Sequence, residues 1–368
     1  MPPSFSTGKL TVMRLLAVRL SGVGPLTSLT LRLGGDEGPR PLTVLFGADG
    51  VGKTSLLSAI AATRPGYALP LIPRARVHLD DADDDEGAPP CFAVSEWALG
   101  DDDPERPHPL RVASPNAQLG ENDAETALRR REQALFDRRA QEAGGHVLVS
   151  FSGARWFSRT TVMLASPDRT ILRYDVRAAP SFDDATRSDL AREAKQVLSY
   201  AALASAVEAQ RRSPGAATEL DTALRETCAV LTRPLGVEWR GVHLPSLEPI
   251  FAFDGRVVGF DDLPRSARHL IAIGALTVRA LAGAYPDSVR PIREREGVVL
   301  IDDLESQQDG AVLRELPPLL RASLPRAQWI VSTAASAVTQ GCEHDEVVAM
   351  RRDEGRVVLH EGAFALLH

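Results

Sequence analysis

Apolar and polar positions follow two different periods along this chain, and the changes of period mark its elements. From Met13, MRLLAVRLSGVGPLTSLTLRL alternates with period two on either side of a Gly-Pro turn, which predicts a pair of strands. Leu42–Phe46 is apolar almost throughout, as a strand buried on both faces requires. At Thr54 the period becomes helical, with Leu56, Leu57 and Ile60 on one face. Gly145–Arg155 and Thr160–Tyr174 read as further strands. Asp183–Arg233 reads as two modest helices, broken at Ser213, Pro214 and Gly215. Val298–Ile301 is a second wholly apolar strand, followed by a predicted helix over Gly310–Ala322 and a buried strand over Gln328–Ser332. EVVAMRRDEGRVVLHEG, from Glu346, has the pattern of a closing hairpin. Short buried strands interleaved with helices predict an α/β fold, a mixed sheet flanked by helices.

Composition divides the chain. The 368 residues are 44% hydrophobic, enough for a sizeable core in one large domain with an appended lobe, or in two lobes. The segmentation expected is an N-terminal lobe over 10–73, an acidic flexible insertion over 74–145, core strands over 146–180, a helical lobe over 181–240 and a C-terminal lobe over 241–368. The insertion is set apart by Asp80–Glu86 and Asp101–Asp103, with prolines around them. Its predicted helix, Asp123–Glu142, is rich in Arg and Glu and reads as a solvated arm. Its aspartates read as a solvated charge run and not as a metal site.

Net charge is −7 with a pI near 5.7, against a broadly basic nucleic-acid binder, although a local patch is compatible with it. Three widely spaced cysteines, Cys91, Cys228 and Cys342, suggest neither a disulfide framework nor a zinc site and fit a reducing compartment. No apolar run approaches the length of a membrane span and there is no signal-peptide pattern, so a soluble, cytoplasmic protein without a membrane partner is expected. The eight histidines are scattered without catalytic or metal spacing and read as satisfied surface or core residues.

Candidate chemistry begins where Leu42–Phe46 ends. Gly47, Ala48, Asp49, Gly50, Val51, Gly52, Lys53 and Thr54 fit the P-loop pattern without a mismatch, and Ser55 follows. Glycines let backbone N–H groups wrap a phosphate chain, and the following helix points its positive end at the same phosphates. Lys53 is expected at the β- and γ-phosphates and the Thr54 hydroxyl on Mg²⁺, so ATP and Mg²⁺ are the cofactors read from these residues. Lys53 is one of only three lysines in a chain that otherwise uses arginine. The acidic half of such a site is supplied by Val298–Ile301, which ends in Asp302 and Asp303. Asp302 is the expected Mg²⁺ partner through water, and Asp303 the candidate base for the attacking water.

The order of these motifs resembles the ATP-binding heads of the RecF, SMC and overcoming-lysogenization-defect group, which are ABC-type ATPases. The likeness runs over about residues 13–65 and 250–362. It implies a P-loop NTPase head that dimerises around ATP, each P-loop facing the partner's signature loop. Here that loop falls on Leu263, Pro264, Arg265, Ser266 and Ala267, without the family's leading serine or its glycines. Ser266 is the residue left to cap the next helix and face a phosphate. The family's switch histidine falls on Ala334, and Asp303 stands where a longer glutamate is usual. Binding parts are thus intact and catalytic parts altered.

The helices over 183–233 are too short for SMC-type arms, and no metal-nuclease domain is expected after Ser336. The resemblance therefore implies a head that acts through a separately encoded effector or on DNA, in bacterial DNA repair or anti-phage defence. The alternative is a nucleotide-binding scaffold with little or no hydrolysis. A transporter ATPase fits the opening and the signature loop poorly.

Overall fold

The computed structural model describes residues 13–35, 38–65, 91–98, 109–115, 117–143, 146–155 (with 157, 159, 161, 162 and 164), 189–211, 215–285 and 288–362. Strands β1 (Arg14–Val23) and β2 (Leu26–Arg32) form the expected opening pair, followed by the two-residue strands β3 (Gly34–Gly35) and β4 (Gly38–Pro39). Next come β5 (Leu42–Phe46), helix α1 (Lys53–Ala62), β6 (Phe92–Ala98), β7 (Leu110–Ala113), α2 (Asp123–Ala143) and β8 (Leu148–Phe151). Helices α3 (Leu190–Gln210) and α4 (Ala216–Leu231) precede a three-stranded antiparallel sheet of β9 (Glu238–His243), β10 (Glu248–Phe253) and β11 (Arg256–Gly259). The chain ends with α5 (Arg265–Ala284), β12 (Gly297–Ile301), α6 (Gly310–Leu313), α7 (Leu316–Ser323), β13 (Ala327–Thr333), α8 (Ser336–Thr339) and the hairpin β14 (Val347–Asp353) and β15 (Arg356–Glu361).

The central sheet has the order β15-β14-β5-β13-β12-β8; every neighbour is parallel except the edge strand β15. Side chains alternate between its faces. Val298, Leu300 and Ile330 join α1 and the β2-β1-β6-β7 sheet in one core, whereas Val299, Ile301 and Trp329 join α3, α4 and α5 in the other. The near-continuous apolar runs in β5 and β12 thus have a structural cause: each is covered on both sides. Gln328 fastens the two sheets together. Its Oε1 accepts from Leu15 N at 2.8 Å and its Nε2 donates to Leu15 O at 2.9 Å, so both polar atoms of a residue in a buried strand are partnered.

Several expectations change. The stretch expected as an insertion contributes β6 and β7 to the sheet built on β1, because Ala93, Trp97, Leu110 and Val112 carry a buried face. Helix α2 is present, and it is anchored: Phe136 is buried and Arg129, also buried, pairs with Glu121 at 2.9 Å. The predicted helix Gly310–Ala322 is two helices, α6 and α7, with a break at Arg314 and Glu315. Pro317 and Pro318 explain this, since proline donates no backbone hydrogen bond and fits only a first turn. The helix pair is as expected, with α3 beginning at Leu190 under an Asp189 cap. The acidic clusters Asp80–Glu86 and Asp101–Asp103 and nearly all of Thr160–Tyr174 lie outside the described residues.

Helix α5 is long and apolar enough to cross a membrane by length and composition, but 83% of that window is buried inside the protein. It is the axis of the helical side, and Gly274 lets α4 approach it. A Cβ there would lie 2.7 Å from Leu231 Cδ1 and 3.2 Å from Thr227 Cγ2. Gly274→Ala brings a helix-propensity gain of about 1 kcal/mol. Overpacking costs ~1–3 kcal/mol, and the methyl of Leu231 that must shift is fully buried. The urea midpoint should therefore fall; a rise would show that the α4–α5 crossing is looser than described.

Candidate nucleotide site

The carboxyl ends of β5, β13, β12 and β8 lie side by side, and each contributes to one site, the usual place for a ligand on an open parallel sheet. Gly47 leaves β5 under the Met350 carbonyl; a Cβ there would sit 2.5 Å from that oxygen. Ala48, Asp49 and Gly50 form the exposed tip of the loop. Gly52 caps α1 at φ 97°, and a Cβ on it would meet Pro25 and Leu26 of the first hairpin at under 3.0 Å. Glycine is therefore required there twice over, for conformation and for space. Val51 packs inward with Leu56 and Leu57. The loop is thus a backbone cradle ahead of a helix N-terminus, with Ser55 in the first turn.

Lys53 is almost wholly buried, and its Nζ donates to Gly47 O at 2.8 Å and Ala48 O at 3.0 Å. The buried ammonium is thus held by carbonyls of its own loop, with the Asp49 carboxylate 3.7 Å away. The Thr54 hydroxyl donates to Asp302 Oδ2 at 2.9 Å, and the Ser332 hydroxyl donates to Asp302 Oδ1 at 2.5 Å. Thr54, Asp302 and Lys53, separated by up to 249 positions in the sequence, are therefore brought together as expected. A hydroxyl and a carboxylate, with phosphate oxygens and water completing the shell, are donors that suit Mg²⁺. Thr54 and Asp302 are the residues that would hold it.

Asp303 lies beside this pair. Its backbone is left-handed at φ 46°, its N–H donates to Ser332 Oγ at 2.9 Å, and its carboxylate packs against Gly153, whose Cβ, if present, would be 2.6 Å from Oδ2. Burial raises its pKa above the usual aspartate value, and Asp302 and Glu305 push the same way. The direction of that shift is the one a general base needs.

Ser266 sits differently from its expected role as a cap. The N-cap of α5 is Pro264, and Ser266 lies in the first turn with 6% exposure. Its hydroxyl accepts from Asp309 N at 2.9 Å and donates to Gln307 O at 3.4 Å, tying α5 to the loop that follows Asp302. At Ala334, where the resemblance implied a histidine, the backbone N–H donates to Glu305 Oε1 at 2.6 Å.

Three participants were hidden in the sequence and a fourth, Arg155, was legible only from its position. Ser332 and Glu305 sit in apolar or acidic surroundings with no motif of their own. Position at the end of a predicted strand allowed Ser152 or Arg155 to lie near a nucleotide and equally allowed a surface arginine; Arg155 is buried. His269, one of eight scattered histidines, is fully buried on α5 with its Nδ1 3.4 Å from Arg155 Nε. Burial lowers its pKa to about 3, with Arg155 adding to the effect, so the ring is neutral. Helical spacing to the apolar Ile273 and Leu276, four and seven residues on, was the signal that could have placed it inward.

No family model and no curated protein matches the chain. Among solved structures, it is similar to an SMC head domain from Thermotoga maritima, at 13% identity and TM-score 0.45, over 95% of this chain and 98% of that one. It is also similar to an SMC head with an extended coiled coil bound to the C-terminal domain of ScpA, from Pyrococcus furiosus, at 14% identity and TM-score 0.47, over 95% and 97%. A third is the recombination mediator protein RecF, at 12% identity and TM-score 0.39, over 96% and 99%. The strand order, the loop at the end of β5 and the carboxylate at the end of β12 give the chain a P-loop α/β architecture.

Proposed function

We propose that this chain binds ATP with Mg²⁺ at Gly47–Ser55, pairs with a second copy around the nucleotide, and passes the change to a separately encoded effector or to DNA. The setting we infer is the bacterial cytoplasm, in DNA repair or anti-phage defence. The observation that carries the reading is the hydrogen bond from Thr54 to Asp302 beside a buried Lys53. Two motifs far apart in the chain meet there in the geometry a phosphate–metal pair needs. Bound Mg²⁺ would offset the phosphate charge and orient the terminal phosphoryl group. The loop amides, Lys53 and the α1 N-terminus bind and align the phosphates, and Asp303 orients and deprotonates the attacking water.

A scaffold with little turnover is the second reading, favoured by Ser266. Its hydroxyl is spent on Gln307 and Asp309 of its own chain and is not presented to a partner's nucleotide.

Lys53→Ala removes the cation aimed at the β- and γ-phosphates, a charge-assisted contact worth roughly 1.5–3 kcal/mol. Labelled-ATP binding should weaken about tenfold or more, and light scattering should show ATP-dependent doubling of mass in the native protein but not in the variant. Equal binding by both proteins would refute the nucleotide site; a mass that never responds to ATP would refute pairing.

Turnover is expected to be slow, and to fall on the acid side as Asp303 gains its proton. Because the pKa of Asp303 is raised, that limb should lie at higher pH than for an ordinary aspartate. Asp303→Asn should cut the rate about 100-fold or more, a typical cost for losing one transition-state contact, while ATP still binds. An unchanged rate and pH profile would remove Asp303 from the role of base.

A further inference from the structure

Arg155 stands just beyond β8, 5% exposed, and spends its guanidinium on main-chain carbonyls. Nη1 donates to Asp302 O at 2.6 Å and Ser152 O at 3.0 Å, and Nη2 donates to Asp303 O at 2.6 Å. Nε faces His269 Nδ1 at 3.4 Å, and the imidazole stacks on Phe157 with centroids 4.4 Å apart. Gln307 Nε2 donates back to Arg155 O at 3.4 Å. One side chain thus joins β8, the loop after β12 and helix α5.

Burying a guanidinium is costly unless its donors are used and its charge is offset. Here the carbonyls use the donors, and the carboxylates of Asp302, Asp303 and Glu305 lie close enough to act on its charge. Burial lowers its pKa to about 10, which leaves it cationic at neutral pH. The placement matters because Asp303 is a non-glycine residue at φ 46°, a conformation that costs energy and persists only where its surroundings enforce it. Its peptide groups are held from both sides: Ser332 accepts the N–H and Arg155 binds the C=O.

We propose that Arg155 is a positioning residue of the nucleotide site. It locks Asp303 into the left-handed backbone that lays its carboxylate against Gly153, and through His269 it fixes that geometry to the helix that begins at the signature-like loop. This rests on the reading of Asp303 as facing bound nucleotide. A lysine could supply the charge but not the fork that reaches two successive carbonyls and a third across the loop.

The test uses Arg155→Ala and Arg155→Lys in the full chain, with two readouts. Amide hydrogen exchange reports the loop itself. In Arg155→Ala, residues 303–306 should exchange at least tenfold faster while β13 and the α4–α5 core keep their native protection. Arg155→Lys, which keeps the charge, should show a smaller change, and millimolar guanidinium ion should restore protection in the alanine variant. ATP binding should stay within a few-fold of native, and any single-turnover hydrolysis should fall about 100-fold and be rescued by guanidinium. Loss of protection spread evenly over the core, or exchange at 303–306 unchanged in both variants, would overturn the positioning role. Failure of the native protein to bind ATP would instead strike at the nucleotide reading, and the exchange result would still decide whether Arg155 holds the loop.

Discussion

The hydrogen bond between Thr54 and Asp302 exists only because β5 and β12 run parallel in one sheet with β13 alone between them. That constraint governs the rest. It requires all three strands to be buried on both faces, which demands two cores, one built from the β2-β1-β6-β7 sheet with α1 and the other from α3, α4 and α5. It places the P-loop, Asp302 and the Ala334 end of β13 at one edge. It also makes β13 the hinge of the site: Ser332 donates to Asp302 and accepts from Asp303, while Thr333 O accepts from Gly47 N at 3.2 Å.

Positive charge is placed with the same economy. Lysine and arginine are not interchangeable in the interior: a point charge suits a loop of converging carbonyls, and a planar fork suits several acceptors in fixed directions. Lys53 serves the first need at Gly47 and Ala48, and Arg155 the second at Ser152, Asp302 and Asp303. Lys195, another of the chain's few lysines, is buried on α3 and pairs with Asp261 at 2.6 Å and Glu248 at 3.2 Å, joining the helical side to the turn just before α5. Helix α5 is therefore gripped near its start by Lys195 through Asp261, by Ser266 through Asp309 and by His269 beside Arg155.

Much of the site was legible in the sequence because its parts are local. A P-loop is one strand, one turn and one helix end, and Gly47–Ser55 encode all three in consecutive residues; the apolar run before Asp302 is equally self-contained. What stayed hidden depends on contacts between distant segments. The strand end at Arg155 could be placed near the site by position alone, but not the pairing of β8 with β12 that brings that arginine beneath Asp302. His269 looked like any other histidine until α5 turned it inward. The strands β6 and β7 were obscured by the acidic stretches around them, since composition averaged over 74–145 outweighed two short buried faces. The break between α6 and α7 was legible in Pro317 and Pro318, but the apolar spacing across it read as a single helix.

Calorimetric titration of the intact protein with ATP, first with Mg²⁺ and then with the metal chelated, addresses the nucleotide site most directly. Saturable binding approaching one nucleotide per chain is expected with Mg²⁺, and markedly weaker binding once Thr54 and Asp302 have no metal to hold. Absence of saturable binding at millimolar ATP under both conditions would contradict the assignment of Gly47–Ser55 and Asp302 as a nucleotide site.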